Sequence, residues 1–255
     1  MSQKHYNAEY LVDTANILKE IKLKSYQSFA HLESGTIADI GCGVGADVLM
    51  MHQLLNKSLK ITGVDHDAAL IDIAKKNATG NESVNFLVSE VAALPFEENT
   101  IDGLRAERLI QHIANPIPVF MDAFRVLKSK AVFTVIETDW SNLSFYNGDE
   151  KLNNKIVAYL SDQKVVNGFA SRKILSYFEE AGFENSVCAV YPLISNKLQD
   201  AFTYLWIDKI IHEMAEIHLF TEEEKNKVLK GFESADQKHA FICSMNIVIA
   251  SAQKP

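Results

Sequence analysis

A chain of 255 residues with 47% hydrophobic and 23% charged residues has the makeup of one α/β domain with insertions, large enough to bury a sizeable core. Its 25 basic and 33 acidic side chains leave a formal charge of −8 with no basic cluster, which argues against nucleic acid or an anionic membrane surface as a partner. Three scattered cysteines (Cys42, Cys188, Cys243) lack metal-ligand spacing, the N-terminus has no apolar h-region, and no apolar run approaches a membrane span. A cytoplasmic protein with reduced thiols, no membrane span and no metal is the expectation.

Leu11, Ala15, Leu18, Phe29 and Leu32 fall at helical spacing, so residues 8–33 are expected to form helices, within an N-terminal cap spanning 1–35. Short β-rich runs then alternate with helical patterns, the mark of parallel βαβ units. Strands are expected near 36–41, 60–65, 84–89, 101–106 and 131–137, and later near 187–193 and 240–250. The helix after the first strand should run from Gly45 to about Leu55. The next starts behind Asp67, which suits an N-cap, and a third follows Pro116 and Pro118. A fourth, about 170–181, should stop at Gly182.

Two segments stand outside the alternation. Residues 141–168 are polar and mixed and read as loop and helix. Residues 195–238 read as an insertion of two helices, the first placing Phe202, Leu205, Trp206, Ile210, Met214 and Ile217 on one stripe, the second opened by a Thr221/Glu224 capping box. Both insertions are expected to cover a substrate, in a single domain whose cofactor-binding core spans 36–139.

The chemistry concentrates at strand ends. Ala38-Asp39-Ile40-Gly41-Cys42-Gly43-Val44-Gly45-Ala46 reads as strand, glycine-rich turn and helix start, which lets a ligand lie against bare backbone. Asp39 would repel a pyrophosphate and welcome an ammonium or sulfonium group. That favours S-adenosylmethionine, although the glycines with Ala46 also satisfy the dinucleotide fingerprint. Asp65, 24 residues past Gly41, ends the second strand and suits two ribose hydroxyls. Glu90 follows the third strand and can accept an adenine amino group. In the fourth stretch, Ile101 to His112, a strand enters a helix; His112 is the candidate proton acceptor, and Glu107 and Arg108 are read as paired with solvent or each other. Trp140 after the fifth strand can border a substrate pocket.

In this order the four motifs resemble the class I S-adenosylmethionine-dependent methyltransferases, in particular the ubiquinone/menaquinone-biosynthesis-like branch. Leu94-Pro95-Phe96, Leu109-x-x-His112, Phe124-Arg125-Val126-Leu127-Lys128 and Glu180-Ala181-Gly182-Phe183 support the resemblance. It implies a Rossmann-like, doubly wound seven-stranded sheet, mostly parallel, with the last strand antiparallel. It assigns Asp39, Gly41, Gly43 and Gly45 to the methionine end of S-adenosylmethionine, Asp65 to the ribose, His66 and Glu90 with the Val91 backbone to the adenine, and the Ala106 carbonyl to the cofactor's amino group. Ser129-Lys130 replaces the family's usual glycine pair, and Glu90 replaces its usual aspartate. The expected activity is methyl transfer to a small, aromatic or lipophilic acceptor; a homodimer is compatible with it. The alternatives are a non-catalytic S-adenosylmethionine-binding protein and an NAD(P)-dependent oxidoreductase.

Overall fold

The computed structural model describes residues 18–56, 58–146 and 148–255. The expected helix over residues 8–17 lies outside the described residues. The described chain opens with α1 (Lys19–Tyr26) and a 3₁₀ turn (Gln27–Phe29). The alternating core follows: β1 (Gly35–Ile40), α2 (Ala46–Leu54), β2 (Leu59–Asp65), α3 (Ala68–Asn77), β3 (Val84–Val88), β4 (Ile101–Glu107), α4 (Ile117–Val126) and β5 (Leu127–Phe145). Then come α5 (Glu150–Tyr159), α6 (Ala170–Glu180), β6 (Glu184–Ser195), α7 (Leu198–Tyr204), α8 (Ile207–Glu216), α9 (Glu222–Gln237) and β7 (Cys243–Gln253).

The seven strands lie in the order β3-β2-β1-β4-β5-β7-β6, and β7 runs antiparallel to both β5 and β6. The order reverses between β1 and β4. Open sheets of this kind bind ligands in that crevice, beyond the carboxyl ends of the strands. The central strands are buried on both faces, as helix-covered parallel strands must be. Ile37, Val48, Met51, Ile61 and Phe86 fill one face under α2 and α3. Phe120, Phe133, Phe178 and Phe183 fill the other, with ring centroids 5.2–6.0 Å apart.

Local chemistry sets the boundaries. Asp67 caps α3 by accepting the N–H groups of Ala69 and Leu70. Gly182 takes φ +88° behind α6, where its N–H reaches the Glu179 carbonyl and the Phe183 N–H reaches Phe178, a full Schellman closure. Thr221 and Glu224 exchange both bonds of a capping box at α9.

Two expectations need correction. Residues 141–145 are strand, not insertion, because β5 continues along β7 after a break in register between Asp139 and Ser144. The 195–238 insertion holds three helices rather than two. The chain breaks at Trp206, which takes φ +52°, so the single stripe splits between α7 and α8 and Ile217 ends up exposed. Spacing of three and four persists across a one-residue break, so periodicity alone does not reveal it.

Lys130 stands where the resembling family has glycine, and it takes φ +67° near the start of β5, where the pairing with β4 shifts register between Leu127 and Val132. A left-handed backbone strains a side chain with a Cβ, so Lys130→Gly is expected to stabilise the fold by about 0.5–1 kcal/mol after the added unfolded-state entropy is set against the relief. A urea midpoint that falls instead would show that this backbone carries no strain.

Candidate cofactor and acceptor site

The glycine turn is built for close approach. Gly41, Gly43 and Gly45 all have positive φ (72°, 52° and 77°). A Cβ on Gly45 would lie 2.5 Å from the Phe86 ring, so helix α2 could not sit this close to β3 with any larger residue there. The Gly41 and Cys42 N–H groups donate to the Val64 carbonyl, which joins the turn to the end of β2.

Asp65 ties the same two elements together. The Gly43 N–H donates to its Oδ2 at 2.9 Å and the Asp67 N–H to its Oδ1 at 3.0 Å, while His66 Nδ1 lies 3.3 Å from Oδ1. Each oxygen keeps a further lone pair for a ligand hydroxyl. The His66 side chain is exposed. Glu90 is exposed beyond β3, Val91 is half-buried beside it, and the Ser89 N–H donates to the Asp65 carbonyl, so these residues follow the strand tips in sequence. Ala106 is buried in β4 between Ile40 of β1 and Val135 of β5.

The environment of Asp39 differs from the sequence expectation. Asp39 is not an open carboxylate awaiting a cation. Arg105, its cross-strand neighbour on β4, donates to it at 2.8 Å from a fully buried guanidinium. Arg105 also bonds Glu107, Asp47 and Ser25 Oγ. Lys22 of α1 reaches Asp47 at 2.6 Å and Glu107 at 2.9 Å, and Tyr26 Oη donates to Asp47. Three carboxylates against two cations leave one net negative charge when all are ionised. Burial pushes the Asp39 carboxyl up to about 6 against the pull of Arg105. Asp47, whose burial alone would raise it, is held well below the usual range by Lys22 and Arg105. Glu107 is therefore an internal partner rather than a solvent-facing one.

Lys22, Asp39, Gly41, Gly43, Asp47 and Arg108 are among the residues lining a cleft over the glycine turn. Arg108, with φ +48° at the tip of β4, also borders a second cavity walled by Gln111, His112, Trp140, Lys164, Tyr204 and Trp206. Gln111 is the hub of that wall. Trp140 Nε1 can only donate, and it does so to Gln111 Oε1 at 2.6 Å, which fixes the amide orientation. Gln111 Nε2 then donates to the Arg108 carbonyl and to His112 Nε2, both at 3.2 Å. Gln111 thus engages the Nε2 of His112.

Beneath this wall lies Glu137 of β5, fully buried. Its Oε1 accepts the Ile110 N–H at 2.6 Å and the Gln111 N–H at 3.4 Å, while Oε2 has no partner among the described residues. Burial pushes the carboxyl up to about 8.

Arg105, Asp47, Lys22, Gln111 and Glu137 were not singled out from sequence. Arg105 could have been: an arginine between Leu104 and Ala106 in a central strand has to be paired. Glu137, directly after Val135 and Ile136 in a central strand, carries the same signal, whereas Lys22 on a helix carries none.

A methyltransferase domain model matches residues 32–182, more than half of the chain. An uncharacterised 37.1 kDa protein of a Streptomyces fradiae transposon is 27% identical over 157 residues, 62% of this chain and 45% of that protein. Ubiquinone biosynthesis O-methyltransferase of Coxiella burnetii is 22% identical over 143 residues, 55% of this chain and 60% of the enzyme. The chain thus matches only about half the length of these curated relatives. The solved structure of phosphoethanolamine N-methyltransferase 2 from Haemonchus contortus with S-adenosyl-L-methionine aligns with a TM-score of 0.63 at 18% identity, over 99% of this chain and 58% of that one. The glycine turn at the tip of β1, the strand order with β7 reversed and the match over residues 32–182 agree: this chain belongs to the methyltransferase domain family.

Proposed function

We propose that the protein transfers a methyl group from S-adenosylmethionine to a small-molecule acceptor. The observation that carries this reading is the pair of cavities joined at Arg108, one over the glycine turn and one walled by aromatic side chains. In this reading the methionine part of the cofactor occupies the cleft of Asp39, Gly41 and Gly43. The ribose meets Asp65, and the adenine runs past His66 towards Glu90 and Val91. The Ala106 carbonyl faces the cofactor's amino group. The cleft sets three carboxylates (Asp39, Asp47, Glu107) against three cations (Lys22, Arg105, Arg108), so it offers no surplus positive charge to a diphosphate, which favours the sulfonium cofactor over a dinucleotide.

The acceptor would occupy the second cavity, its aromatic or lipophilic body against Trp140, Tyr204, Trp206 and Ile210. Catalysis would then be chiefly alignment of the nucleophile behind the methyl carbon, worth roughly 7–11 kcal/mol of the barrier. His112 stands on the cavity wall and could take a proton only after Gln111 releases its Nε2.

Asp65→Ala is expected to weaken S-adenosylmethionine binding by at least about tenfold, since it strands the ribose hydroxyls and frees the Gly43 N–H. Isothermal titration checks this, and unchanged affinity places the ribose elsewhere. The two tryptophans of the chain, Trp140 and Trp206, both line the acceptor cavity. Intrinsic fluorescence therefore reports acceptor binding directly, and production of S-adenosylhomocysteine with a candidate acceptor separates an enzyme from a cofactor-binding protein.

A further inference from the structure

Two cationic side chains stand on the acceptor cavity of a chain that is acidic overall. Arg108 and Lys164 stand on its wall, and among the described residues that line it there is no aspartate or glutamate. Glu213 reaches Lys164 from α8 with both carboxylate oxygens and also accepts from Tyr159 Oη at 2.8 Å. Arg108 is placed where the two cavities meet. The one imidazole on the wall, His112, has its Nε2 engaged by Gln111.

We infer that the cavity takes an aromatic oxyanion, a carboxylate or a phenolate, steered by Arg108 and Lys164 and packed against the two tryptophan rings. A buried anion requires cationic or hydrogen-bonding partners, and a planar guanidinium suits an oxyanion. The inference rests on the methyl-transfer reading. An oxygen that arrives ionised needs no base, which fits an imidazole already occupied. In the transfer step an oxygen lone pair forms the new O–CH₃ bond and the electron pair of the breaking C–S bond goes to sulfur. The negative oxygen and positive sulfonium end as a neutral ester or ether and a neutral thioether, and no proton moves.

Calorimetric titration of the S-adenosylhomocysteine-loaded protein with benzoate, benzamide and benzylamine tests this. Benzoate is expected to bind at least about tenfold more tightly than benzamide, with benzylamine weakest, and the advantage should shrink as salt is raised. Lys164→Gln should lower benzoate affinity, whereas Glu213→Gln, which releases Lys164 from its carboxylate, should raise it. Opposite signs from the two members of one ion pair are not produced by a merely structural role. Comparing benzoate with ionised 4-nitrophenolate tells which oxyanion the cavity prefers. Equal affinity for benzoate and benzamide, or a preference for benzylamine, in a protein that still binds S-adenosylhomocysteine overturns the oxyanion and leaves methyl transfer standing. Failure of the wild-type protein to bind S-adenosylhomocysteine removes the methyl-transfer reading itself.

Discussion

Arg105→Met is expected to cost about 3–5 kcal/mol of folding free energy, the scale for removing one partner from a buried charge cluster. The guanidinium is fully buried, and its donors reach Asp39, Asp47, Glu107 and Ser25. Without it, three carboxylates face Lys22 alone. Methionine fills similar volume, so the loss is electrostatic rather than a cavity. Urea unfolding at pH 7.5 measures it, and hydrogen exchange along α1 should show that helix losing protection, because Lys22 and Tyr26 dock on the same cluster. The cost should be smaller at pH 5. The Asp39 carboxyl is already raised to about 6 by burial and rises further once Arg105 is gone, so acid restores part of the stability by protonation. A loss below about 1 kcal/mol would show that the cluster is solvated and that Arg105 does not hold it together.

The second large effect is a pH dependence. Glu137 is fully buried, and its carboxyl is raised to about 8. An acid raised in the folded state stabilises the fold in its protonated form. That contribution is fully present below the ordinary glutamate range and is lost as pH rises through about 8. Over that window the group forfeits on the order of 4–5 kcal/mol. Glu137→Gln keeps the oxygen that accepts the Ile110 and Gln111 N–H groups but cannot ionise. The variant is therefore expected to match the wild type near pH 5 and to gain several kcal/mol over it by pH 8.5, read from urea unfolding at both values. A constant difference between the two proteins across that range would show that Glu137 titrates as an ordinary carboxylate.

Much of the site's frame was legible along the chain. Glycines at 41, 43 and 45 have few uses outside a tight turn with positive φ, and Asp67, Gly182 and Thr221/Glu224 carry capping signals that act over three or four residues. Strand positions followed from apolar runs between turn residues. The break at Trp206 was hidden, since a left-handed residue without glycine leaves no mark in the hydrophobic spacing. The extension of β5 to Phe145 was hidden as well, because its pairing with Ser244 and Cys243 joins segments about a hundred residues apart.

Sequence alone thus determined the βαβ order, the glycine turn after β1 and the acids at the strand tips, all consequences of short-range backbone and capping preferences. Tertiary structure decided which of those acids remain open. Parallel pairing sets Asp39 beside Arg105, and α1 folds back to bring Lys22 onto Asp47 and Glu107. The same packing gathers Arg108, Trp140, Lys164 and Trp206 from four separate segments around one cavity. Charge compensation in a buried site depends on distances in space, and contacts between residues far apart in the chain set those distances.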